Sequence, residues 1–214
     1  YGTENPPITA DPPEHLPYRR LILPFFSPKA VALQREYTAE VCNALIDKFI
    51  DRGSCDAAEE YAQQIPPRII ARVIGIDESR VDEFVTWTRG VLELGQTQPE
   101  LRIKYRRVIR EFFLELVAER RKEPRDDIVS QLLEAEVDGE RLVDHKVAGI
   151  CNLLLVAGID TTWSSIGAAL LHFAATAQDR RRVAGERDLM PTAIEEMLRF
   201  YAPVTMARKV TEPV

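Results

Sequence analysis

One stretch constrains this chain more than any other: from Val147 to Ala177 it is almost continuously apolar. Length alone would let such a stretch cross a bilayer. Asn152, Asp160 and His172 interrupt it, however, and a carboxylate near the middle of a span is costly in hydrocarbon. The better reading is a helix buried in protein, running as one piece from Leu142 to Ala177 with Asp144 as its candidate cap. Whatever fold forms must be built around that rod.

The remaining sequence supplies helices to surround it. Asp11-Pro-Pro-Glu14 has the acid, prolines and second acid of a helix start, and the segment runs to about Phe26. Ser27-Pro28 opens a second helix, predicted over Pro28 to Arg52 from the spacing of Val31, Val41, Leu45, Ile46 and Phe49, with Gly53 as its stop. Further helices are predicted over Ala57–Ile74, Glu78–Leu94, Pro99–Glu123, Asp126–Ala135 and Pro191–Tyr201, with a polar link at 95–98 and a turn at Val137-Asp138-Gly139. Val204 to Val210 has strand-like residues and is the one strand predicted. The fold class is therefore mainly α, with a short β segment near the C-terminus.

Composition narrows function. The chain has 214 residues and a net charge of -6, which argues against a nucleic-acid binder because phosphate needs a concentrated basic face. Basic runs exist (Arg19-Arg20, Arg106-Arg107, Arg120-Arg121-Lys122, Arg180-Arg181-Arg182), each read as a solvated helix face. Cys42, Cys55 and Cys151 are scattered and odd in number, so neither a disulfide framework nor a zinc site is suggested, and a reduced, cytoplasmic setting fits. Tyr1 to Asp11 is polar and proline-bearing, so a signal peptide is not expected there.

Four constellations carry chemistry. In the long helix, the small pair Ala157-Gly158 precedes Asp160-Thr161-Thr162. Small residues let a flat ligand approach the backbone. Thr161 either bonds a backbone carbonyl of its own helix or opens the helix and holds a water. Asp160 needs a partner or serves as a proton source. Glu196 and Arg199, three apart, pair on one helix face. His15 and Arg19 lie one turn apart and can share an anionic group. Arg208 follows in the predicted strand.

Taken in this order, the four resemble the cytochromes P450, the haem-thiolate monooxygenases. Ala-Gly-Ile-Asp-Thr-Thr (157–162) is similar to the oxygen-binding motif of the family's long central helix. Glu196-Met-Leu-Arg199 with Phe200-Tyr-Ala-Pro-Val204 and Arg208 is similar to the short helix and strand that follow it. Asp11-Pro-Pro-Glu-His15 with Arg19 resembles the helix crossing the haem edge. Phe25-Phe-Ser-Pro28 and the run Asp126 to Leu133 fit soluble bacterial members.

The resemblance implies roles. Asp160 and Thr161 would be catalytic, the acid relaying protons and the alcohol hydrogen-bonding oxygen or its water, with the helix pinched open at Gly158 to let them do so. Ala157 and Gly158 would line the oxygen groove, and His15, Arg19 and Arg208 would bind the propionates of haem b. Leu153, Val156 and Val204 would face a small apolar substrate, and Glu196 with Arg199 would form a buried structural pair. Electrons would come from NAD(P)H through a reductase and a ferredoxin-type partner, docking near Arg19 and Arg20. A monomer, with no nucleic acid or membrane partner, is expected.

Residues 1–214 would form only part of the family's domain, without its N-terminal sheet region and without the Phe-x-x-Gly-x-x-x-Cys-x-Gly loop that ligates iron. None of the three cysteines stands in that context, so no metal ligand is assigned here and this chain alone is expected to be inactive. Pro17, between His15 and Arg19, is expected to disturb their shared orientation. A di-iron bundle would need Glu-x-x-His pairs, and His15, His145 and His172 are preceded at that spacing by Pro12, Leu142 and Ala169. The non-enzymatic alternative is a helical scaffold or regulatory domain of the same descent.

Overall fold

The structure is a computed structural model that describes residues 4–204. Eleven α-helices are present among the described residues: α1 His15–Ile22, α2 Pro28–Ala32, α3 Arg35–Asp47, α4 Ile65–Ile74, α5 Val81–Leu92, α6 Leu94–Thr97, α7 Pro99–Lys122, α8 Ile128–Glu134, α9 Asp144–Ala175, α10 Ala177–Gly185 and α11 Met190–Phe200. A two-stranded antiparallel hairpin, β1 Glu136–Val137 and β2 Glu140–Arg141, precedes α9.

The long rod is there, and the other helices enclose its first half. Val147, Ile150, Cys151, Leu155 and Ile159 of α9 are fully buried, against α4, α5, α7 and α8. Among the described residues α9 is the one helix long and apolar enough to cross a bilayer, but its apolar face here is the centre of a helical core. That core includes an edge-to-face aromatic group, Phe84, Trp87, Phe112 and Phe113, with successive centroids 5.1–5.5 Å apart. Such contacts add to plain area burial.

Several predicted helices are shorter than expected, and prolines explain most of the differences. The first begins at His15 rather than Asp11, because each residue before a proline is biased out of the helical region and two prolines follow Asp11. Pro17 then falls in the first turn of α1, where its missing N–H costs nothing, so the expected kink does not arise. The predicted helix 57–74 is a π turn (Ala57–Tyr61), a 3-10 turn and then α4, whose first turn holds Pro66 and Pro67. The predicted helix 28–52 divides into α2, α3 and a 3-10 turn. The link at 95–98 is largely helical, and α10 was not predicted at all.

Among the described residues a β hairpin forms where only a turn was predicted. Asp138 and Gly139 both have positive φ (55° and 83°), which suits the tight turn of a two-residue hairpin, so the strands flank the predicted turn. Val204 is exposed and outside regular structure, and 205–210 lie outside the described residues.

A buried ion pair locks three helices together. Arg120 of α7 and Asp127, the N-cap of α8, are almost fully enclosed and 2.5 Å apart. Arg120 also donates to the carbonyl of Gly75 at the end of α4 (3.1 Å), and Asp127 accepts from the N–H of Ser130 (2.8 Å). Gly75 sits at φ +88°, and a Cβ there would stand 2.4 Å from that of Asp127. The left-handed turn and the close approach both require glycine.

Candidate functional site

The motif residues lie on three sides of α9. Ile159 and Trp163 point into the core. Gly158 faces α4, where a Cβ would come 3.0 Å from Ile70 Cδ1. Its missing side chain therefore lets two helices close, a packing use that the sequence alone did not reveal. Ala157 is exposed and Thr161 half-exposed, so a strip of small side chains on the central helix is open.

The expected opening of the helix at Gly158 is absent. Residues Asp144–Ala175 form one continuous helix, and the Thr161 hydroxyl donates to the carbonyl of Ala157 at 2.9 Å. Of the two roles open to this threonine, the structure shows the backbone-bonded one. Ser165 repeats the device on Thr161 (2.8 Å). Both hydroxyls satisfy themselves locally, as alcohols in apolar helices do when no outside partner is present.

Asp160 lies on the neighbouring face, half-buried. Burial raises its pKa above the ordinary carboxylate range, and the negative charge of Glu93 on the α5–α6 junction raises it further, while a hydrogen bond with Trp163 opposes both. Glu93 in turn accepts from Arg89 at 2.9 Å. A proton is thus held more firmly on Asp160 than on a free aspartate, beside the open strip. Glu93 was missed in the sequence because it lies far from Asp160 along the chain.

Around this strip, the other predicted residues divide. Leu153 and Val156 are half-buried on the preceding turn of α9, and Val156 packs on the core. Neither they nor Val204 line the large apolar cavity of about 910 Å³, which lies between the 3-10 turn Leu23–Phe26, α2, α3, α4 and α9 and is bordered by Phe25, Val31, Ile69, Val73, Gly158 and Thr162. His15 is half-buried and Arg19 exposed, one turn apart on α1. Tyr18, between them, is buried and accepts a hydrogen bond from Lys146 of α9 at 2.7 Å, which fixes α1 to the central helix. Arg208 lies outside the described residues.

Glu196 and Arg199 pair through two 2.7 Å hydrogen bonds, as their spacing predicts. The pair is not buried: the two side chains are 51% and 69% exposed, and the apolar residues Ile194, Leu198 and Phe200 beside it are exposed too. Unforeseen from the sequence, His172 joins the Tyr201 hydroxyl and the Asp179 carboxylate, each at 3.0 Å, tying the ends of α9, α10 and α11.

The buried Cys151 is held as a thiol. Burial pushes the Cys151 thiol up to about 12. Cys42 is half-buried beside Tyr61, and Cys55 is exposed in a loop.

No family model matches the chain. Individual proteins do. The chain is 33% identical over 197 residues to cytochrome P450 107B1 of Saccharopolyspora erythraea, covering 92% of this chain and 48% of the relative. It is 31% identical to the 6-deoxyerythronolide B hydroxylase of the same organism, over 91% of this chain and 48% of that one. The solved structure of the bacillaene-synthase cytochrome P450 PksS of Bacillus subtilis superposes with a TM-score of 0.84 at 26% identity, over 91% of this chain and 50% of that one.

The chain belongs to the cytochrome P450 family.

It spans about half the length of the curated P450 relatives it matches. The mainly α architecture is shared with solved P450 structures, and the acid-alcohol motif lies on the longest helix among the described residues.

Proposed function

We propose that the protein containing this chain is a haem-dependent monooxygenase that inserts one oxygen atom of O2 into a small apolar substrate, with electrons from NAD(P)H through a reductase and a ferredoxin-type donor. One observation carries the reading: the central apolar helix leaves Ala157 exposed and Thr161 half-exposed beside a half-buried Asp160 whose pKa is raised above that of a free aspartate.

The residues present fit a flat apolar group with an anionic edge. Ala157 offers no bulk, and His15 and Arg19 supply a proton-bearing ring and a guanidinium on one face of α1. When bound, haem supplies oxygen activation, which depends on a thiolate ligand. That thiolate would come from a cysteine outside these 214 residues, since none of the three here fits. Arg208 would join His15 and Arg19 at the propionates.

Thr161 would exchange its bond to the Ala157 carbonyl for one to a water or to the reacting oxygen, a switch that needs rotation of the hydroxyl rather than of the helix. Asp160 would give up its proton toward Thr161 and be reprotonated from solvent past Glu93 and Arg89. Leu153 and Val156, with Val204, would keep the reacting end apolar and exclude water. Arg19 and Arg20 would help receive the electron donor. We place the protein in the cytoplasm, as a monomer.

The unbroken ladder and the self-satisfied Thr161 hydroxyl are what a non-catalytic scaffold of the same descent would also show. Thr161→Ala in the full-length protein separates the two. Under the monooxygenase reading, reducing equivalents are diverted to peroxide and product per NAD(P)H falls. Unchanged coupling removes Thr161 from the mechanism.

A further inference from the structure

The first half of α7 carries a surface feature that the proposed oxygenase chemistry does not use. Residues 101–110 read Leu-Arg-Ile-Lys-Tyr-Arg-Arg-Val-Ile-Arg, five cations and no acid, in a chain whose net charge is -6. At about 100° per residue, Arg102, Arg106, Arg110, Ile103 and Arg107 fall within an arc of about 140°, along roughly 12 Å of helix, with Lys104 at its edge. Half-buried Arg102 marks one border of this arc, and beyond it Ile109 and Phe112 are buried in the core.

This face opposes its own helix. Arg102 with Arg106 and Arg106 with Arg110 are like charges four apart; Lys104 with Arg107 and Arg107 with Arg110 are like charges three apart, spacings at which they repel. Elsewhere the same helix pairs its cations: Arg120 with Asp127, Arg121 with Asp144. Here only Arg107 has a carboxylate within 4 Å among the described residues, Glu111 at 3.6 Å, and that arginine is 74% exposed. In the middle of the arc Ile103 is 71% exposed, among the most exposed large apolar side chains in the structure.

We propose that this face of α7 is a docking surface for the acidic face of a partner protein, with the cations guiding the encounter and Ile103 as the apolar anchor. A ring of charge around one desolvated side chain is the arrangement that gives protein interfaces their rate and their anchor. A bilayer would need a broad apolar face, and one isoleucine does not provide it. A nucleic-acid strand would need stacking rings, and Tyr105 instead turns inward against Gly90.

The test uses the full-length protein and a defined probe: a synthetic helical peptide of about 20 residues with glutamates along one face and a central leucine, compared with its glutamine counterpart, heparin and phosphatidylserine vesicles. The glutamate peptide is expected to bind in preference to the other three and to tighten at least tenfold when salt is lowered from about 200 to about 50 mM. R106E/R110E should weaken it at least tenfold, and I103A severalfold with the salt dependence kept. The charge-matched control R181E/R187E, at exposed arginines of α10 and the turn after it, should change it less than twofold. Melting temperature checks that R106E/R110E is folded; the new glutamates face Arg102 and Arg107 and should not lower it. Equal weakening by the control, tighter binding to heparin or vesicles than to peptide, or no peptide binding at all would overturn the proposal.

Discussion

At the scale of single residues, Asp160 carries an energetic cost together with the function proposed for it. Its pKa is raised by burial and by Glu93, so the folded protein binds a proton more tightly than the unfolded chain does. Stability from this group is therefore greatest at low pH and is lost as pH rises from about 4, the unfolded carboxylate value, through the raised one. Asp160→Asn should flatten that descent and make the protein more stable at pH 7, seen as a higher melting temperature, while slowing product formation. A variant with an unchanged pH profile of stability would show that the raised pKa has no energetic weight. Glu93→Gln should lower the pKa of Asp160 by removing a like charge, moving the descent to lower pH in the same melts. Asp160 and Thr161 could be singled out beforehand because they are adjacent in sequence and follow the small pair Ala157-Gly158, although their types alone fit a structural role as well. Glu93, the Ile70 contact of Gly158 and the buried Arg120–Asp127 pair could not, since each joins residues that only the fold brings together.

At the scale of elements, the Arg120–Asp127 pair is the joint on which α4, α7 and α8 depend. Removing one partner leaves an uncompensated charge in the core, so Arg120→Ala should cost about 3–5 kcal/mol in urea denaturation of the full-length protein. R120M/D127L should recover most of it, because the penalty lies in the orphaned charge more than in the lost attraction. A double variant as unstable as the single would mean that the hydrogen bonds to Gly75 and Ser130 dominate instead. Gly149 makes a similar demand at the other end of α9, where a Cβ would meet the Glu4 carbonyl at 2.0 Å. Gly149→Ala should release residues 4–10 from α9, despite the 2.9 Å bond from Asn152 to Asn5, and hydrogen exchange over that segment would record it. Helix boundaries were the least legible features at this scale. Apolar spacing located the helices, but it did not show that Pro66-Pro67 would restart one, or that a two-residue turn at Asp138-Gly139 would draw its flanks into strands.

At the scale of the whole molecule, one long helix determines the architecture, and its half-covered state determines the chemistry proposed. The α9 face at Ile150, Cys151, Leu155 and Ile159 is sealed, while the strip at Ala157 and Thr161 is open. That asymmetry could not be read from the sequence, where both faces are made of small and apolar residues. The most direct measurement is the absorbance spectrum of the reduced full-length protein under carbon monoxide, taken for wild type and for Ala157→Phe, whose ring would occupy the open strip without entering the core. The account predicts a haem-thiolate Soret shift in the wild type and its loss or marked weakening in the variant, with melting temperature unchanged. A wild-type protein that stays colourless after incubation with haem, or a variant that gives the same spectrum as wild type, would contradict it.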